Sequence, residues 1–139
     1  MSAVVLPLWV SNQPDDGTRR RVVETDAYVD TGASRTVVSP AVADTARLQY
    51  VGRDTTLRGV GPSHTAPLAL AYVSAGECRE QALLVAVDKL LDATPYHVIL
   101  GQDFMEEGGM LVDMGETAAS CDRPSVAADI LRAVLEAEG

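Results

Sequence analysis

A chain of 139 residues, 47% hydrophobic and 22% charged, has the size and composition of one globular domain with a substantial core. Its formal net charge of −9 argues against nucleic acid and anionic membranes as partners, because both select clustered Lys and Arg. No apolar run approaches a membrane span, and Cys78 and Cys121 show neither CxxC spacing nor a neighbouring His cluster, so no metal or other cofactor is expected.

Residues 3–10 read as a strand, and as too short and uncharged at the start for a signal peptide. Both cysteines then read as free thiols of a reducing compartment, with a disulfide as the alternative, and the cytoplasm is the expected location. Pro14 and the pair Asp16-Gly17 predict a hairpin turn, with residues 20–29 as the returning strand. The run Arg19-Arg20-Arg21 reads as the flank of that hairpin. Residues 30–34 form a turn of small residues, and 36–38 a short β-branched strand. A short helix over 40–48 follows, with Ser39 as its cap and Pro40 in its first position.

Further strands are expected over 55–60, 66–74, 81–87, 96–100 and 110–114, and a loop over 90–95. Gln102 to Glu107 predicts one helical turn stopped by Gly108-Gly109. After Arg123-Pro124, the residues Val126, Ala127, Ile130, Leu131, Val134 and Leu135 recur at helical spacing, predicting an amphipathic helix over about 125–137. No repeat or linker divides the chain, so residues 1–139 read as one mainly β domain.

One short stretch carries chemistry. Asp30 stands where a strand ends, followed by Thr31, Gly32, Ala33 and Ser34, with no cation beside it in sequence. A buried, unpaired carboxylate is costly, so this acid is either an exposed turn residue or a working one. Two further motifs follow in order: Arg58-Gly59-Val60-Gly61-Pro62, and Val98-Ile99-Leu100-Gly101 leading into Gln102-Asp103-Phe104. Together with Asp30-Thr31-Gly32 they resemble the single-lobed, retropepsin-like aspartic proteases over about residues 4–115.

The resemblance implies a closed β-barrel with Asp30 as catalytic acid. It also implies a homodimer, because such chemistry needs two adjacent carboxylates sharing a proton and this chain has a single such triplet. The substrate class it implies is an extended polypeptide with bulky apolar residues around the cut. Thr31 is expected to hydrogen-bond across the dimer, Gly32 to offer its N–H to the carboxylate, and Ser34 to order the loop or meet substrate backbone. Ala33 replaces a hydroxyl often found in two-lobed relatives. With one donor fewer to the ionised form, a milder pH optimum is expected. Gly59, Val60, Gly61 and Pro62 are expected at a flap spanning 58–68. Ile99, Leu100 and Gly101 are expected to pack the cleft and the Asp30 loop. Viral relatives usually carry arginine after this glycine; Gln102 stands here, so a dimer tie is sought in the N-terminal strand and the C-terminal helix.

Blander readings compete. A silent member of the same fold, serving in dimerisation or peptide binding, fits the same motifs. Gly59-Val60-Gly61 opens no helix and so is no dinucleotide fingerprint. His64 and His97 read as hydrogen-bonded or surface residues. Asp103 reads as a cap of its helix and Asp113 as a strand-edge residue.

Overall fold

The computed structural model describes residues 4–17, 20–58, 62–76, 78–108, 111–113 and 118–120. The expected helix over 125–137 and residues 59–61 of the expected flap lie outside the described residues.

Strand β1 (Val5–Ser11) pairs antiparallel with β2 (Val22–Val29), Val10 facing Val23. The turn between them uses Gly17 at φ +86°, a left-handed conformation that the Asp16-Gly17 pair anticipates. Arg20 folds back across it. Its guanidinium binds Glu80 at 2.5 Å and Asp15 at 3.6 Å, so this member of the arginine run ties the first hairpin to the strand region ahead of residue 81.

β3 (Val37–Val38) leads into α1 (Pro40–Ala46). Ser39 caps that helix as expected: its hydroxyl accepts the Val42 N–H at 3.3 Å and lies 3.1 Å from His97 Nδ1. Such a cap is worth about 1 kcal/mol. It also gives His97 a hydrogen-bond partner within the fold.

Two long strands follow, β4 (Gln49–Leu57) and β5 (His64–Ala75), then β6 (Gln81–Val87). β4 starts six residues before the expected strand. Its burial pattern is exposed almost throughout, so no hydrophobic alternation marks it. Residues 89–93 form a 3₁₀ turn that overlaps the loop expected over 90–95, because the Asp88 side chain accepts the Leu90 N–H and nucleates it. β7 (Val98–Leu100) runs into α2 (Gln102–Gly108), and β8 (Leu111–Asp113) pairs with β9 (Ala118–Ser120) as a separate hairpin.

The order β1-β2-β7-β3-β6-β5 closes on itself because β1 also pairs with β5, Leu8 facing Ala75. The result is a closed barrel, and β4 extends from β5 outside the ring. Over Leu8 to Ser11, β1 has neighbours on both edges, so that part of the N-terminal strand has no edge left to tie a second copy.

The main core fills the barrel with Val4, Leu8, Val10, Val29, Val73, Val85, Val98 and Leu100, plugged by Phe104 from α2. Phe104 is the chain's one phenylalanine and is fully buried. A smaller cluster of Val37, Ala66, Leu68, Ala86 and Leu91, with Leu57 and Ile99 against it, sits outside the main core. Cys78 is disulfide-bonded, which corrects the expectation of a free thiol at that position. Among the described residues, no helix is long and apolar enough to cross a membrane.

Candidate active site

Asp30 follows directly on β2. Its N–H donates to Leu100 O at 3.0 Å, one step beyond the parallel β2–β7 ladder, so the backbone of the acid is fixed by the sheet. The chain then turns tightly. The Gly32 N–H donates to Asp30 Oδ1 at 2.9 Å and the Ala33 N–H to Asp30 O at 3.1 Å. A Cβ on residue 32 would stand 3.3 Å from that same carboxylate oxygen. Thr31, Gly32 and Ser34 are exposed, and Asp30 is half-buried.

The start of α2 grips this loop from behind. Gln102 N donates to Ala33 O at 2.7 Å, Gln102 Nε2 to Thr31 O at 2.7 Å, and Asp103 N to Ser34 O at 3.2 Å. Gln102 therefore ties the Asp30 loop of its own chain. Gly101 is pressed against the Arg35–Thr36 peptide, where a Cβ would fall 2.5 Å from Arg35 C. No L side chain fits there.

Asp103 does more than its expected capping role. Its carboxylate accepts the Thr36 N–H at 3.0 Å, the Thr36 hydroxyl at 2.7 Å and the Phe104 N–H at 2.8 Å. The Thr36 hydroxyl in turn accepts the Gly101 N–H at 3.1 Å. Thr36 is fully buried, so removing its acceptor leaves polar groups dry. Asp103→Ala is expected to lose about 3 kcal/mol of unfolding free energy in urea. A loss under about 1 kcal/mol would mean the loop is held by other contacts.

In front of the loop lies a cleft of about 710 Å3. Asp30, Gly32, Ala33, Ser34 and Ile99 line it, as do Arg35, Val37, Thr55, Thr56, Leu57, Arg58, His64, Asp88 and Leu91. Among the expected site residues, Thr31, Leu100 and Gly101 support the loop without lining the cleft. Pro62 is described but does not line it, and Gly59, Val60 and Gly61 lie outside the described residues. The smaller apolar cluster is the cleft's wall, since Val37, Leu57, Leu91 and Ile99 belong to both.

The cleft also holds charge that sequence reading did not assign. His64 Nε2 lies 2.9 Å from Asp88 Oδ2, joining the start of β5 to the end of β6. Arg35 Nη1 donates to Leu84 O at 2.7 Å. Among the described residues, neither Arg35 nor Arg58 meets a carboxylate. No group of His, Cys, Asp and Glu suited to a metal ion occurs among the described residues. A second hollow of about 550 Å3, beside Asn12, Arg20, Arg21 and Arg47, shares no residue with the cleft.

The family model described as "gag-polyprotein putative aspartyl protease" matches residues 21–107, more than half of the chain. The chain belongs to the retropepsin-like aspartic protease family. The matched span of this retropepsin-like chain runs from the strand before Asp30 through the cleft walls to α2. Two solved structures share the fold. EIAV protease complexed with the inhibitor HBY-793 superposes with a TM-score of 0.57 at 18% identity, covering 78% of this chain and 89% of that one. The retroviral protease-like domain of Ddi1 from Leishmania major gives 0.53 at 19% identity, covering 88% and 90%. No match to the chain is found among curated proteins.

Proposed function

We propose that this retropepsin-like protein is an aspartic endopeptidase that works as a homodimer, with Asp30 of each copy forming the catalytic pair. One observation carries the reading. Among the described residues, two carboxylates line the cleft: Asp88 is tied to His64 and the Leu90 N–H, whereas the one side-chain partner of Asp30 is the Gly32 N–H. A single half-buried acid on an exposed loop has half of the required machinery. A two-fold axis through that loop supplies the other half. The exposed Thr31 is then placed to hydrogen-bond across the axis.

The chemistry follows from the shared proton. Two carboxylates held close together ionise singly, not together. The ionised one takes a proton from a water molecule as its oxygen attacks the peptide carbonyl carbon. The protonated one gives its proton to the carbonyl oxygen, forming a tetrahedral diol. A proton then passes to the amide nitrogen and the C–N bond breaks, releasing an acid and an amine. The substrate lies extended between the Asp30 loop and the β4–β5 hairpin, its apolar side chains against Val37, Leu57, Leu91 and Ile99.

The test is incubation of the purified protein with a diverse mixture of unfolded peptides between about pH 3 and pH 7. Cuts flanked by apolar residues with a mildly acidic optimum are expected. Activity is expected to fall faster than linearly on dilution, because the pair exists only in the dimer. A folded dimer that makes no cut would favour the silent peptide-binding member of the fold. Strict proportionality to protein down to about nanomolar levels would defeat the two-chain site.

A further inference from the structure

The chain carries 20 Asp and Glu against 11 Lys and Arg, yet its cleft presents two arginines that meet no carboxylate among the described residues. They differ in preparation. Arg35 follows the Asp30 loop, is half-buried, and is anchored by one N–H to Leu84 O at 2.7 Å. That bond fixes the stem and leaves the rest of the guanidinium fork unmatched. Arg58 is exposed at the end of β4, where the hairpin meets the cleft. Between them the lining is apolar, supplied by Val37, Leu57 and Ile99. Asp88 is hydrogen-bonded to His64 and forms no ion pair with either arginine.

Resting on the reading of this cleft as a peptide-cleaving site, we propose that it selects acidic segments. An Asp or Glu side chain of the bound peptide pairs with Arg35, with Arg58 as the second cation, while an apolar neighbour fills the wall. Guanidinium and carboxylate match as a two-toothed fork, and an arginine already held in place loses less freedom on pairing. Side chains alternate between opposite faces of an extended peptide at about 3.3 Å per residue, so an acid and its apolar neighbour meet different walls of the cleft. In a two-fold dimer each copy brings its own pair of arginines, so acids are selected on both sides of the scissile bond.

The experiment measures binding apart from cleavage. Two fluorescent peptides share an apolar centre and differ only in Glu or Gln at the flanking positions. Their affinities for the Asp30→Asn protein are read by anisotropy. The Glu peptide is expected to bind about tenfold more tightly. That ratio should shrink toward one when Arg35→Gln or Arg58→Gln is added, and Arg35→Glu should turn the preference toward a Lys-flanked peptide. Arg58 lies on an exposed strand end, so its variant tests the idea even if Arg35→Gln folds poorly. Equal affinities, no binding of either peptide, or a ratio indifferent to both arginines overturns the proposal. If the acidic preference holds but the unsubstituted protein cuts neither peptide, the protease reading fails and this one stands. If both are cut and bound alike, the reverse is true.

Discussion

Asp30→Asn is expected to leave a folded protein whose peptide cleavage falls about ten-thousandfold. The two halves of that expectation have separate grounds. Asparagine keeps an oxygen where Asp30 Oδ1 now accepts the Gly32 N–H, and the carboxylate has no ion pair among the described residues to lose. The backbone N–H still reaches Leu100 O. Melting temperature and dimer mass should therefore match the unsubstituted protein. An amide, however, neither takes a proton from water nor holds one to give to the carbonyl oxygen. Cleavage that persists in this variant would remove Asp30 from the mechanism.

Gly101→Ala is the second large effect, and it acts on the fold. The added Cβ would meet Arg35 C at 2.5 Å, Arg35 O at 2.7 Å and Thr36 N at 2.9 Å. All three are backbone atoms, so no rotamer change relieves the clash. The Arg35–Thr36 peptide must move, but its N–H is held by the Asp103 carboxylate, and the next peptide is held by the Ala86 N–H bond to Thr36 O. A loss of about 3 kcal/mol or more is expected in thermal or urea unfolding. Activity should fall as well, since the displaced peptide continues directly from the Asp30 loop. A variant as stable as its parent would show that β7 and the loop have slack the geometry does not suggest.

Local signals in the sequence reach surprisingly unequal depths. Asp16-Gly17 and Ser39-Pro40 are legible because each feature is made by the residues that announce it: a left-handed glycine, a hydroxyl and a fixed φ. The buried strand ending at Gly101 is legible for the same reason, as a short apolar run with a stop. The first six residues of β4 are not, because they are exposed and one-sided burial is the signal that reading depends on. The turn over Lys89–Ala93 is set by one side-chain bond from Asp88 rather than by a period. Asp103 was legible as a helix-start acid, but its main partner is Thr36, brought to it only by the tertiary fold. Arg35 had no local mark, and Arg58 was legible as the start of the flap motif but not as a cleft cation. Their meaning comes from sharing a cleft and from the carboxylates that are not beside them.

The outer side of β4 bears on how the protein behaves at high concentration. β4 has one neighbour, β5, among the described residues, so its far edge turns backbone donors and acceptors to solvent. Such an edge is a template for any extended chain, including another copy in the wrong place. Here the pairing register shifts between Tyr50 and Asp54, and Gly52 takes φ +75°. The irregularity bends the strand, and Arg53 and Asp54 place opposite charges beside it. A straight, uncharged edge would invite stacking into fibrils; this one keeps only a short straight run toward the cleft, where an extended guest is wanted.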